Sequence, residues 1–420
     1  MKVKRKKILI LSPIFPLPLK SGGHVRIFNL IKYLSDHFEI SLLSLISVGE
    51  EKYIHEMMPF CSRVETIPVK FYDHQFLKAI SLVKPSQILR TLKRGFQWTF
   101  GIPFHICRFY HPGVVQKLEE MVGKDHYDVV HAIYSQMAPY LIRAKALDRN
   151  IKSILDDIDL FFVVKYREYL TQKGLARFFY SLEYKRIRDY VARTWPRFDG
   201  ITVMSMEDKE KLLSLKPNLS ISVVPNGVDT DYFRPLNHPK ANRKLVFVGG
   251  SHHYPNVDAL SYFCENIFPL IRQEMKDVSL TVIGEFSRNL IPKGDHEIQF
   301  TGYVEDIRPY LKDCSLNIVP LRIGGGTRLK ILEAMALGIP TVSTSIGCEG
   351  IEAEKDREII IADDPQGFAK GIKTVLGDEV LHQTLARNGR DLIEQKYRWA
   401  QIVRKLGESY LGSEVRRGKV

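Results

Sequence analysis

The chain has 420 residues, 45% of them hydrophobic, a mean hydropathy of −0.14, and 61 Lys+Arg against 48 Asp+Glu for a net charge of +13. That length exceeds one ordinary hydrophobic core, so two domains are expected. No run of eighteen apolar residues argues for a membrane span, and five scattered cysteines without CxxC spacing argue against a zinc site or disulfide framework and fit a reducing cytoplasm.

The opening segment, MKVKRKKILILSPIFPLP, places lysines before a short apolar run. Two prolines interrupt the run and no small-residue cleavage site follows, so it reads as a first buried strand with a basic leader rather than a secretion signal. "HVRIFNLIKYLSDH" then reads as a helix and "EISLLSLI" as a strand, followed later by "YDVVHAIY", "KSILDD" and "DGITVMS" as strands with helical patterns between them. Residues 67–111 break this alternation. There Lys70, Lys78, Lys84, Arg90, Lys93, Arg94 and Arg108 are interleaved with Phe71, Phe76, Phe96, Trp98, Phe100 and Phe104, and Asp73 is the only acid. Such a mixture suits contact with an anionic membrane surface, or else an inserted helical pair whose aromatics are core.

The second half is more regular. "KLVFVGG", "VSLTVIG", "IQFTGYV", "SLNIVPL", "IPTVSTS" and "REIIIAD" read as strands, with helices such as "NVDALSYFCENIFPLIRQEM" and "TRLKILEAMALG" between them. Apolar strands alternating with helices indicate α/β architecture with parallel sheets covered on both faces, hence two doubly wound domains. The expected division is an N-terminal domain over 1–224, a Pro/Asn/Asp-rich linker over 225–244, a C-terminal domain over 245–394, and a tail over 395–420 that packs back on the first domain. The charge is lopsided: residues 1–200 carry the whole excess of +13 and residues 201–420 are neutral. A basic half implies an anionic partner such as a membrane surface or phosphate-bearing acceptor, with solvated surface lysines as the plain alternative; no recognised nucleic-acid motif accompanies it.

The stretch "GGGTRLKILEAMALGIP" (324–340) begins a helix with cations where acids belong, because the first turn carries free N–H groups and partial positive charge. It is not a P-loop, since Lys330 is followed by Ile331, and no GxGxxG follows the first strand. Glycines that admit a close ligand, a helix expected to open at Thr327, and Arg328 with Lys330 make an anion site suited to a diphosphate. Glu333, on the same helical face as Lys330, would accept from hydroxyl groups such as those of a ribose; the alternative is a surface Lys330–Glu333 pair.

"PLRIGGGTRLKILEAMALGIPTVSTSIGCEGIE" (320–352), with "VPNGVDTDYFRP" (224–235), "LVFVGGSHHYPNVDAL" (245–260) and "FTGYVEDIRPYLKDCSLNIVPLR" (300–322), resembles the nucleotide-sugar site of the retaining glycosyltransferases of family 4 with the GT-B fold. In the first half, "SPIFPLPLKSGGHVRIFNLIKYLS" resembles the family's first glycine-rich loop and helix, and "YDVVHAIYSQMAPYL" its mid-domain strand. The resemblance implies two Rossmann-like domains facing across a cleft. It places Glu333 on the ribose, the backbone of Gly325, Gly326 and Thr327 with Arg328 and Lys330 on the diphosphate and sugar, Tyr303 and Val304 after Gly302 at the base, Gly22 and Gly23 over the donor phosphates, and His131 near the sugar. Arg328, Lys330 and His131 are thus the expected catalytic residues.

Three departures stand out. Gly325 occupies the position of the first of the family's two glutamates, the second being Glu333. The usual Arg and Lys after the first C-terminal strand are missing from "VGGSHHYPNVDAL", so Arg328 and Lys330 would replace them. The family's His-x-His is reduced to His131-Ala132-Ile133, and a buried strand histidine is the alternative for His131.

The implied reaction is transfer of a sugar from a nucleotide-diphosphate donor to a saccharide or lipid-linked acceptor in surface polysaccharide or glycolipid synthesis, at the inner face of a membrane. No cofactor or metal is expected; Asp156, Asp157 and Asp159 of "DDID" read as acceptor contacts or structural groups at a strand end. A sugar-nucleotide epimerase of the same architecture and a non-catalytic nucleotide-sugar-binding protein are the rival readings.

Overall fold

The computed structural model describes residues 5–70, 102–235, 243–251, 253–286, 297–324 and 326–411. Most of the basic, aromatic insert (71–101), part of the linker (236–242), Gly325 and the end of the tail (412–420) lie outside the described residues. The chain divides into two compact units, Met1–Val224 with Val403–Val420, and Pro225–Ile402.

Unit one holds a seven-stranded parallel sheet built from β1 (Lys7–Ser12), β2 (Glu39–Ser47), β3 (Arg63–Val69), β4 (Val129–Ile133), β5 (Lys152–Asp156), β6 (Gly200–Val203) and β7 (Ile221–Val223). Their order is β3-β2-β1-β4-β5-β6-β7. Unbroken apolar runs such as Ile8–Leu11 make the strands, because both faces of the sheet are covered. Helix α1 (Gly22–Leu34) lays Ile27, Leu30, Ile31 and Leu34 inward at helical spacing. A helical hairpin, α2 (Phe161–Thr171) and α3 (Gly174–Thr194), follows β5.

Unit two holds a six-stranded parallel sheet, order β10-β9-β8-β11-β12-β13, from β8 (Lys244–Val248), β9 (Ser279–Ile283), β10 (Ile298–Gly302), β11 (Leu316–Val319), β12 (Thr341–Ser343) and β13 (Ile360–Ile361). Two sheets of this kind are doubly wound α/β units, as expected. The long helix read over 256–275 is broken into α4 (Tyr254–Tyr262), a π-helical turn (Phe263–Ile267) and a short helix (Phe268–Arg272). Pro269 lacks the N–H that would bond back one turn, and the wider π turn accommodates it.

The helix expected to open at Thr327 starts two residues later, as α5 (Leu329–Ala336). Gly326 is left-handed (φ +74°) and Arg328 is extended (φ −85°, ψ 103°), so Arg328 is the capping residue and not part of the first turn. The far end closes on Gly338 (φ +76°): its N–H bonds to Met335 O (3.0 Å) and that of Ile339 to Ala334 O (2.9 Å), the paired bonds of a glycine C-cap. Helix α6 (Trp399–Leu411) begins in unit two and ends in unit one. Among the described residues no helix is long and apolar enough to cross a membrane.

Candidate functional site

In unit two the strand order reverses between β8 and β11, so the loops leaving their carboxyl ends diverge and open a crevice. Glycines let the neighbouring loops close up behind it. Gly284, just after β9, has φ +127°, and a Cβ there would stand 1.7 Å from Gly249 O. A Cβ on Gly249 would in turn lie 2.8 Å from Asn256 Cγ. Asn256, in the first turn of α4, donates from Nδ2 to Gly250 O (3.2 Å) and so is held by the loop after β8.

Lys330 reaches across the reversal point from α5. Its Nζ donates to Asn256 Oδ1 at 3.0 Å and stands 4.8 Å from the centre of the Phe247 ring. Loss of solvent, with the Arg328 charge second, pulls the Lys330 ammonium down to about 7, against the pull of Glu333. Burial likewise pushes the Glu333 carboxyl up to about 7, opposed by Lys330. Both are half-buried, and the ammonium turns toward Asn256, so the surface pair weighed from the sequence is not what forms. The result is a cation and a carboxylate that are costly to ionise until a polar ligand replaces the lost water.

Arg328 folds back over its own loop: a Cβ on Gly324 (φ +130°) would lie 2.6 Å from a guanidinium nitrogen. Thr327 is buried, its carbonyl accepting from Asn226 Nδ2 (3.3 Å) and its hydroxyl donating to Gly350 O (3.5 Å). Upstream, Arg322 forms a bidentate pair with Asp258 (3.0 and 2.6 Å) and lies 4.2 Å above the Tyr262 ring, fastening the glycine loop to α4. Gly302 ends β10 with φ +70° and its carbonyl accepts from Gly284 N (3.0 Å). The next residue, Tyr303, is 62% exposed, whereas Val304 packs against the buried group of Val246, Leu311 and Ile339. Lys330, Glu333, Arg328 and Thr327 thus share one loop and helix start, while Gly302 to Val304 lie at the end of β10. Asn256, Phe247 and Arg322 were missed by the sequence reading; a GG pair directly after a strand was the available signal for close loop packing.

Unit one reverses its strand order between β1 and β4. Gly22 and Gly23 are not in a loop but open α1, with no acid in its first turn. A Cβ on Gly23 would meet Tyr134 Oη at 2.3 Å, and Tyr134 itself has φ 68°, a conformation costly for an aromatic residue. His131 lies inside β4, paired with Ile10 and Ile154, and has no exposed surface. Its Nδ1 shares a 2.7 Å hydrogen bond with the Tyr410 hydroxyl, its Nε2 has no partner among the described residues, and burial holds its pKa down to about 4, so it is neutral. The arrangement is that of the buried strand histidine.

Asp156, the last residue of β5, is also buried. Arg26 Nε and Nη2 each donate to it at 2.9 Å, and Thr202 Oγ1 donates at 2.7 Å. Burial pulls its carboxyl upward, but the Arg26 charge and hydrogen bonds outweigh this and hold it low. Asp157 accepts from Trp195 Nε1 (2.9 Å) and burial pushes its carboxyl well up. These two acids are structural groups of unit one. Among the described residues no three His, Cys, Asp or Glu side chains gather as a metal site.

Comparison with known proteins matches residues 21–232 to the model of Glycosyltransferase Family 4 and residues 242–378 to that of Glycosyl transferases group 1. The chain is 25% identical over 317 residues to the UDP-Gal:alpha-D-GlcNAc-diphosphoundecaprenol alpha-1,3-galactosyltransferase of Escherichia coli, covering 70% of this chain and 78% of that protein. It is 26% identical to an uncharacterized 44.6 kDa protein in the cps region of Klebsiella pneumoniae, covering 93% and 96% of the two chains. Among solved structures, the sucrose-phosphate synthase of Thermosynechococcus elongatus superposes with a TM-score of 0.70 at 17% identity, over 97% of this chain and 98% of the other.

Proposed function

The chain belongs to glycosyltransferase family 4 and is a glycosyltransferase of GT-B fold, and from that premise we propose that it moves a sugar from a nucleotide-diphosphate donor to an acceptor with retention of the anomeric configuration. The observation that carries this reading is Lys330, a desolvated cation held by Asn256 where the strand order of unit two reverses. In the transfer, the bond from the sugar C1 to the diphosphate breaks, a bond from C1 to the acceptor oxygen forms, the acceptor hydroxyl's proton passes to the departing diphosphate oxygen, and negative charge grows on that diphosphate as the bond breaks. Lys330, Arg328 and the N–H groups opening α5 share one loop and helix start, and in this reading they stabilise that charge. Glu333, one turn on, accepts from the ribose hydroxyls, and Tyr303 offers an exposed ring to the base. The backbone of Gly326 and Thr327 is assigned to the donor, and the α1 N-terminus with Gly22 and Gly23 is the part of unit one suited to a phosphate.

This reading gives the transfer no metal, because Arg328 and Lys330 meet the diphosphate charge; loss of activity in chelator, restored by Mg²⁺, would count against it. His131 is assigned to holding Tyr410 and takes no part in the chemistry. The acceptor is a lipid-linked or saccharide precursor of a surface glycan, supported by the diphosphoundecaprenol-linked acceptor in the name of the Escherichia coli relative and the cps-region origin of the Klebsiella pneumoniae relative. Such an acceptor places the enzyme at the inner face of a membrane. The test is a thermal-shift panel of nucleotide sugars: one donor class should raise Tm in the wild type and leave Lys330→Ala unmoved. An equal shift in both proteins would remove Lys330 from the site.

A further inference from the structure

The α2–α3 hairpin ends in a tip whose apolar side chains face solvent. Leu170 is 54% exposed, Phe178 64% and Phe179 58%. Leu170 is the next-to-last residue of α2, and Phe178 and Phe179 lie in the second turn of α3, so the three sit at the same end of the hairpin, around the turn at Gln172 and Lys173. Gly174, with φ +57°, makes that turn tight. Two adjacent phenylalanines on a helix would ordinarily have one ring turned inward; here both are out, edge to face at 5.8 Å.

The hairpin is also basic. Residues 161–194 contain eight Lys+Arg and three Asp+Glu. Lys173 and Arg177 are exposed beside the aromatic rings. Arg177 lies 4.9 Å over the Tyr169 ring and donates to its hydroxyl (3.4 Å), contacts with a neutral side chain that orient the guanidinium. A protein partner would be expected to offer a concave, mixed surface to such a tip. A convex end bearing aromatic rings and flanking cations instead matches an interface with an apolar interior and an anionic rim. We propose that the tip of the α2–α3 hairpin inserts Phe178, Phe179 and Leu170 into an anionic lipid bilayer, with Lys173 and Arg177 on the lipid headgroups.

The hairpin belongs wholly to unit one. The test is flotation of the full-length protein with vesicles of phosphatidylcholine alone or with 30% phosphatidylglycerol (roughly the anionic share needed for a strong surface potential), at low and high salt. The expected result is binding to the anionic vesicles only, weakened by salt, and reduced at least about tenfold in Phe178→Ser/Phe179→Ser. The donor-induced Tm shift should persist in that variant, which shows that it is folded and separates this proposal from the assignment of the donor site. A Phe178→Trp variant should show a blue-shifted emission component on the same vesicles, absent with phosphatidylcholine alone. Wild-type binding by the double variant, or unshifted emission from the introduced indole, overturns the proposal; the first outcome would pass membrane contact to residues 71–101.

Discussion

Lys330 and Asn256, 74 residues apart, are joined by a 3.0 Å hydrogen bond that ties the helix after β11 to the helix after β8 across the reversal of strand order. The bond fixes an ammonium that would otherwise be the free end of a four-carbon chain. Asn256→Ala removes that anchor while leaving the charge, so nucleoside diphosphate should bind about tenfold more weakly, the worth of a hydrogen bond to a charged group. Titration calorimetry with UDP and GDP reads the change. Undiminished affinity would show that Asn256 does not position Lys330 for the ligand.

The pKa directions at Lys330 and Glu333 give a pH profile with definite signs. Binding of a diphosphate favours protonated Lys330, which loses its proton above about 7, so affinity should fall on the alkaline side. Hydrogen bonds from ribose favour ionised Glu333, which is protonated below about 7, so affinity should also fall on the acid side. The Kd for the nucleotide is therefore expected to be tightest near neutrality and to weaken by up to about tenfold per pH unit on each side. Lys330→Arg, always charged, should flatten the alkaline limb, and Glu333→Gln the acid limb. A flat profile in the wild type would show that neither group titrates with binding.

The fold was legible where burial is complete and obscure where it is not. β1, β4, β8 and β11 are central strands whose apolar runs announce themselves. β3 and β7 are the edges of the first sheet, half-buried, and their "RVETIPV" and "ISV" carry too little apolar pattern to stand out. In unit two, the chemistry of "GGGTRLK" pointed to an anion, and the stretch does hold Arg328 and Lys330 at one loop and helix start. What local sequence could not supply was distance: Asn256, Phe247 and the Arg322–Asp258 clamp come from other elements. The same limit applies to Asp156, read from the sequence as an acceptor contact or a structural group: its bond to Arg26, 130 residues away, makes it the structural one.

The close packing behind the crevice can be tested at two glycines. Gly284→Ala puts a methyl group 1.7 Å from a backbone oxygen at φ +127°, a clash that no rotamer relieves. A loss of several kcal/mol is expected, seen as a large drop in Tm or failure to accumulate in soluble form. Gly250→Ala, with nothing within 4 Å of the new Cβ, should melt within a degree or two of the wild type. Equal stability of the two variants would show that the loops after β8 and β9 do not approach as described.

The Arg26–Asp156 pair gives the corresponding test in unit one. Both side chains are at most 1% exposed, so removing one partner strands a charge away from water. Arg26→Met should cost about 3–5 kcal/mol, the usual penalty for breaking a buried pair, and Asp156→Leu should also destabilise because Arg26 keeps its charge. Replacing both, as Arg26→Met with Asp156→Leu, should recover a large part of the loss, since the desolvation cost of two ions disappears with them. Urea unfolding of the four proteins, followed by the fluorescence of buried Trp195 (bonded to the adjacent Asp157), measures the coupling. Additive losses would mean that the two groups do not act as a pair.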